Sequence, residues 1–177
     1  MVMIDKDPIN NAINEGIRRS ININLDNKCF GAAIILIFAG IDAMSCLNRE
    51  EEKDYNDSID FKIWVEKYFH VFGQTKITPE EWWAARNAII HTYGAYSKLH
   101  NEQDVRVLSW MVKALPNIIY NPKIDKDLVL VDILAMRDAF FTGMENFLIE
   151  SFADSTRKQI MEDRISKLIM TLPSSNS

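Results

Sequence analysis

The chain has few of the residues that cross-link small proteins or interrupt helices. It has two cysteines, six glycines and five prolines among 177 residues. Cys29 and Cys46 fall on one predicted helix, and their separation of 17 residues corresponds to about 25 Å along its axis. A disulfide requires Cα atoms within about 7 Å of each other. The spacing therefore excludes a disulfide within the chain and predicts two buried thiols in a reducing compartment.

Positive charge is also scarce. Twenty lysines and arginines stand against 25 aspartates and glutamates, which gives a formal net charge of −5. General nucleic-acid-binding proteins are usually basic. The composition therefore argues against non-specific duplex binding and leaves room only for a local basic cleft.

A targeting segment and a long apolar run are lacking as well. Residues 1–7 have neither the apolar core nor the cleavage site of a signal peptide. The longest apolar run, Cys29 to Ile41, is shorter than the roughly 20 residues that span a bilayer. We therefore expect a cytoplasmic protein with no membrane partner.

The sequence does contain a pervasive helical periodicity. We predict one all-α domain over residues 1–172 and a disordered tail over residues 173–177. A first helix begins near Pro8 and carries an apolar stripe of isoleucines four residues apart, Ile9, Ile13, Ile17 and Ile21. The further predicted helices are Asp26–Leu47, Asp60–Phe69, a helix from Pro79 that ends near Gly94, Asp125–Phe152 and Ser155–Leu172.

Two shorter signals concern the middle of the chain. Residues 105–115 favour a short extended stretch or a hairpin, and residues 117–123 a connector. Thr78-Pro79-Glu80-Glu81 is a strong helix start, since threonine caps, proline suits the first turn and Glu81 completes a capping box.

The helix that follows this start holds the most informative segment of the chain. Arg86, Asn87, His91 and Tyr93 place a guanidinium, an amide, an imidazole and a phenol within eight residues. Asn87 and His91 are four residues apart and share a helix face. The long side chain of Arg86 can reach the same side.

These side chains suit metal-independent RNA cleavage. Histidine titrates near neutrality and can exchange a proton with a ribose hydroxyl or a leaving oxygen. Arginine matches phosphate oxygens and can stabilise the negative charge of a transition state. Ser97 and Lys98 lie just beyond the helix and could contact a phosphate, although a plain loop is the favoured interpretation. His70 and His100 have no partners at ligand spacing, so we predict no metal site.

Asp42 is the second feature of interest, because it interrupts the most apolar predicted helix. A buried carboxylate is costly unless it is paired. One hypothesis is that Asp42 pairs with Arg86 or His91 and positions it. The alternative is that this helix exposes a narrow polar edge.

The central segment resembles a known motif. Arg86-Asn87-x3-His91 is similar to the Arg-x(4–6)-His motif of the HEPN (higher eukaryotes and prokaryotes nucleotide-binding) superfamily. With Tyr93 it resembles the Arg-x4-His-x-Tyr form of HEPN toxins that pair with nucleotidyltransferase antitoxins. The resemblance implies an all-α, HEPN-like helical bundle, here with additional C-terminal helices, that forms a homodimer with the motif helices at the interface.

The resemblance also implies a function. Many members are metal-independent endoribonucleases that serve as toxins or in phage defence, which implies an RNA substrate, no cofactor, and an antitoxin or other protein partner. By this resemblance Arg86, His91 and Asn87 are catalytic, with Asp42 and Tyr93 in support, and the tyrosine is one that an antitoxin can modify with AMP. The alternative is a catalytically inactive HEPN-like domain that binds a nucleotide or a protein. A further alternative is a helical interaction protein whose last helix docks a partner through Ile160, Ile165, Leu168 and Ile169.

Overall fold

The computed structural model describes residues 9–53, 55–103 and 105–168, and within these ranges the fold is mostly helical. A π-helical segment, Ile9–Arg18, runs directly into α1, Arg19–Asp26. The other helices are α2 (Phe30–Asn48), α3 (Ser58–Tyr68), α4 (Pro79–Thr92), α5 (Lys98–Gln103), α6 (Ile133–Ala153) and α7 (Ser155–Ile165). The strands are β1 (Val107–Met111), β2 (Ile118–Ile119) and β3 (Leu128–Asp132).

The three strands form a small mixed sheet, so the prediction of an all-α fold holds only for the helical majority. The strand order is β1-β3-β2, with β1 parallel and β2 antiparallel to β3. Residues 105–115 do include an extended segment, but parallel pairing with β3 rules out the hairpin that we considered. The predicted connector contains β2.

The predicted helix Asp125–Phe152 is wrong in its first part, where β3 occurs and α6 begins only at Ile133. The apolar run Leu128–Val131 suits either a buried helix or a buried strand, and periodicity does not separate the two. Pairing on both sides of β3 favours the strand. The Oδ1 atom of Asp132 then caps α6 by accepting a hydrogen bond from the Ala135 amide at 2.9 Å, and its Oδ2 accepts one from the Ala114 amide, outside the helix, at 2.8 Å.

The core is built around α2, which packs against α1, α3, α4, α6 and α7. Phe38, Ile41 and Met44 of α2 are fully buried. Ile13 and Ile21 of the predicted isoleucine stripe are buried too, and Ile9 and Ile17 pack partly buried against the same core. The predicted stripe is therefore confirmed.

Among the described residues, α2 is the one helix that is long and apolar enough to cross a membrane. The apolar run Cys29 to Ile41, which we predicted to be too short to span a bilayer, lies mostly within this longer helix. Half of its apolar window is buried inside the protein. Cys29 precedes α2 and Cys46 lies on it, and both thiols are free. Cys29 is exposed and Cys46 half-buried, so the prediction of two buried thiols is wrong.

The last helix ends earlier than predicted, at Ile165. Met161 and Ile165 are buried in the core, while Ile160 and Leu168 are half-buried. Of the described residues in the stripe considered for partner docking, Ile165 thus faces the core and none is fully exposed. Ile169, the remaining residues of the predicted helix up to Leu172, and the predicted tail at 173–177 lie outside the described residues.

Candidate functional site at the end of α4

Local sequence signals fix both ends of α4. At its start the Glu81 amide donates to Thr78 Oγ1 at 3.2 Å and the Thr78 amide donates to Glu81 Oε2 at 2.8 Å, which confirms the predicted capping box. At its end Tyr93, one residue before the predicted Gly94, adopts a left-handed conformation with φ 52°. Its amide donates to the Ile89 carbonyl at 3.1 Å.

Arg86 of α4 forms an ion pair with Asp42 of α2. Its Nε and Nη2 donate to the same carboxylate oxygen of Asp42, Oδ2, at 3.0 and 2.7 Å. The two side chains keep 19% and 23% of their surface exposed. Of the two alternatives considered for Asp42, the pairing with Arg86 is therefore present, and it fixes the guanidinium between two helices.

The remaining side of Arg86 faces the other motif residues. Nη1 donates to Asn87 Oδ1 at 3.3 Å and lies 3.5 Å from His91 Nε2. In the neutral tautomer that carries its proton on Nδ1, His91 accepts this contact. Asn87 is held in turn, since its Nδ2 donates to the Trp83 carbonyl at 2.8 Å. Arg86, Asn87 and His91 thus converge, as the spacing predicted.

The Arg86 guanidinium also lies over an aromatic ring, with its Cζ 5.1 Å from the Trp83 ring centroid. Trp83 packs on Phe61 of α3 at a centroid distance of 5.2 Å. Cation–π contact and ion pairing together hold the arginine in one orientation.

The carboxylate beneath this arginine is perturbed by its surroundings. Burial raises the pKa of Asp42 above its ordinary value of 3.8, and the hydrogen bonds and charge of Arg86 offset this only in part. For the ionised carboxylate, the free-energy cost of desolvation therefore exceeds the stabilisation that Arg86 provides.

Tyr93 is not assembled with the other motif residues. Its side chain is 67% exposed, and its hydroxyl lies against Gly31 in the first turn of α2, so closely that a Cβ at Gly31 would collide with it. Among the described hydrogen bonds, none joins Tyr93 to Arg86, Asn87 or His91. The structure thus places Tyr93 across the start of α2 and beside the site.

An open pocket of about 400 Å³ lies beside His91, between α4 and the start of α5. His91 itself is exposed. The pocket is lined by Trp83, Asn87, His91 and Thr92 from α4 and by Ser97, Lys98 and Leu99 beyond it. Arg86 and Asp42 are not among the residues that line it.

The wall formed by α5 was missed by sequence reasoning, which favoured a loop there. Its first turn is fixed by His100, whose Nδ1 accepts from the Ser97 amide at 2.9 Å. A serine followed three residues later by an acceptor side chain is the local signal that could have revealed this turn. The histidine in place of the usual Glu or Gln obscured it.

Two larger cavities lie elsewhere. One of about 600 Å³ lies between α6 and the segments around His70 and Leu115, and one of about 610 Å³ lies between α2 and α7. The first of them is lined by His70, but the smaller pocket is the one that the motif residues Asn87 and His91 line. Over the described residues, no group of three His, Cys, Asp or Glu side chains is placed to hold a metal ion.

Comparison of the chain with protein-family models, with curated proteins and with solved structures found no match. Its relation to the HEPN superfamily therefore stays a prediction that rests on the motif residues.

Proposed function

We propose that this protein is a metal-independent endoribonuclease of HEPN type. The observation that carries the proposal is the convergence of Arg86, Asn87 and His91, backed by Asp42, beside an open pocket. A proton-transfer group exposed to solvent and a fixed cation next to it are two of the elements that catalyse RNA transphosphorylation.

In the proposed reaction the ribose 2′-oxygen attacks the adjacent phosphorus and the bond from phosphorus to the 5′-oxygen breaks. His91 takes the proton of the 2′-hydroxyl or returns a proton to the leaving 5′-oxygen. Arg86 stabilises the negative charge that builds on the phosphate, and Asn87 orients the arginine. The products are a 2′,3′-cyclic phosphate and a 5′-hydroxyl.

The proposal includes a homodimer in which the two motif helices meet across a two-fold axis. This arrangement provides two His91 side chains, one as base and one as acid, and doubles the local positive charge. It eases the objection that a net charge of −5 raises against RNA binding. A cytoplasmic role as a toxin or in phage defence, with an antitoxin or other protein partner, belongs to the same proposal.

The second candidate function is a catalytically inactive HEPN-like domain that binds a nucleotide or a protein. One observation favours it: the Nε, Nη1 and Nη2 atoms of Arg86 all have partners inside the protein. An arginine whose three nitrogens are all engaged inside the protein serves a structural network as well as a reaction. The exposure of His91 favours the nuclease.

The deciding experiment is cleavage of a mixed RNA pool with EDTA present, by wild type, Arg86→Ala and His91→Ala. We expect cleavage by wild type, loss in both variants, and unchanged melting of His91→Ala because its side chain is exposed. Equal cleavage by wild type and His91→Ala would remove the proposal. Well-folded wild type that cleaves no RNA, alone or with its partner, would favour the inactive binding domain.

A further inference from the structure

The cavity of about 610 Å³ between α2 and α7 has a lining rich in charge. Four basic and two acidic side chains line it: Arg49, Lys53, Arg164, Lys167, Glu51 and Asp163. Ile160 and Leu168, both half-buried, add apolar surface. The volume falls in the range of roughly 300–1,000 Å³ that small-ligand sites occupy. The cavity therefore has the size and the mixed lining of a site for a small charged molecule.

Carboxylates pair with only half of these basic side chains. The two lysines lie 2.6 to 2.8 Å from carboxylate oxygens. Arg49 and Arg164 form no ion pair with any residue that the structure describes. Glu51 is exposed and lies beyond ion-pair distance of both arginines, so water screens its charge. Two guanidinium charges thus remain without a direct counter-charge.

The two arginines instead hold neutral groups at the end of α2. Arg49 donates to the Lys53 and Cys46 carbonyls and to Cys46 Sγ. Arg164 donates to three backbone carbonyls of residues 47–50 at 2.7 to 3.0 Å. The C-terminus of a helix is equivalent to only about half of one negative charge. These contacts therefore position both guanidinium groups and leave most of their charge uncompensated.

Each arginine also keeps a donor for a ligand. Arg49 Nη2 and Arg164 Nε have no hydrogen-bond partner among the described residues, and neither atom is fully buried. Burial lowers the pKa of Arg164 below its ordinary value, and the positive charge of Arg49 lowers it further. Nearby acidic groups, Glu51 and Asp163 among them, offset this only in part. The two guanidinium groups repel each other, and an anion bound to both relieves that repulsion.

We propose that the cavity between α2 and α7 binds a phosphate group, as the free ion or in a small organic phosphate, with Arg49 and Arg164 as the anion-binding residues. The planar fork of arginine matches phosphate oxygens. A phosphate monoester carries about −1.5 to −2 charges at neutral pH, which suits two guanidinium groups better than the single charge of a carboxylate. The site is independent of the proposed nuclease, since it shares no lining residue with the pocket beside His91.

Isothermal titration calorimetry at constant ionic strength tests the proposal with two probes, inorganic phosphate and phenyl phosphate. The test variant is Arg164→Gln, whose amide can still donate to a carbonyl but carries no charge. The matched control is Arg157→Gln. Arg157 is also a half-buried arginine of α7 whose Nη2 donates to Asn48 at the end of α2, but it is not part of the cavity lining. Thermal melting checks that each variant is folded, and Arg49→Gln replaces Arg164→Gln if the latter is not.

We expect wild type to bind a phosphate probe and Arg164→Gln to raise its Kd about tenfold, the effect of one lost charge-assisted hydrogen bond. Arg157→Gln should leave Kd unchanged. Tighter binding of phenyl phosphate would identify an organic phosphate as the ligand, and tighter binding of inorganic phosphate would identify the free ion. If wild type binds neither probe, or if the test and control variants have equal Kd, the site is overturned.

The two cysteines provide a second measurement on wild type itself. Cys46 is half-buried and lines the cavity, whereas Cys29 is exposed and precedes α2 at its other end. Alkylation by iodoacetamide, followed by mass spectrometry of the peptides, gives a rate at each thiol. The better-binding probe should slow alkylation of Cys46 several-fold and leave Cys29 unaffected. A probe that binds without changing the rate at Cys46 would show that the phosphate lies elsewhere.

Discussion

Arg86 and Asp42 are 44 positions apart in sequence, yet Nη2 of the arginine lies 2.7 Å from Oδ2 of the aspartate. The contact joins α4 to the central helix α2. It gives the arginine one orientation, in which Nη1 faces His91. The geometry of the site therefore depends on a carboxylate that belongs to the core helix.

The first prediction concerns the strength of this ion pair. Asp42→Ala should destabilise the fold by about 2 kcal/mol, because it leaves the arginine charge half-buried without its partner. The loss should stay below that of a fully buried pair, since both side chains keep about a fifth of their surface exposed. Urea unfolding of Asp42→Ala, Arg86→Ala and the double variant gives the coupling energy. Strictly additive losses would show that the contact contributes nothing to stability.

The second prediction concerns pH. The pKa of Asp42 is raised in the folded protein, so folding favours the protonated carboxyl, and that contribution is lost as pH rises through the folded pKa. Asp42→Asn has no such loss. Its free energy of unfolding relative to wild type should therefore increase between the ordinary pKa of 3.8 and neutral pH. A relative stability that falls over this range would mean that Arg86 outweighs burial.

A third prediction concerns positioning. If the protein cleaves RNA, Asp42→Asn should lower kcat by up to about 10²-fold with little change in KM, because a slightly displaced guanidinium stabilises the transition state poorly. Thr78→Ala is the matched control, since it should cost about 1 kcal/mol through the lost helix cap and leave the motif untouched. Equal kcat for Asp42→Asn and wild type would show that the aspartate does not position the arginine.

A fourth prediction concerns the end of α4. Tyr93 adopts φ 52°, a conformation that costs roughly 1–2 kcal/mol for residues with a Cβ atom. Tyr93→Gly should therefore be more stable than Tyr93→Ala by about 1 kcal/mol, although glycine is ordinarily the less stabilising of the two. Thermal melting of both variants measures the difference. Should the alanine variant melt higher, the left-handed cap would not form in solution.

Several features of this protein follow from sequence alone because their causes are local. The capping box at Thr78 and Glu81 involves residues three positions apart, and the isoleucine stripe of the first helix follows from helical spacing. The proximity of Asn87 and His91 is likewise set by one helical turn. Even the unusual position of Asp42 was visible, because a carboxylate in an apolar helix requires a partner.

Other features depend on tertiary contacts between segments that are distant in sequence. Leu128–Val131 became a strand because β1 and β2 supply its hydrogen-bond partners, and no local pattern contains that information. The Tyr93 side chain lies against Gly31 because the start of α2 is beside the end of α4. The pocket arose because the start of α5 lies beside the end of α4, so that Ser97 and Leu99 line the same space as His91. Sequence thus determined the chemical groups and their local spacing, while packing of separate elements determined which of those groups share a site.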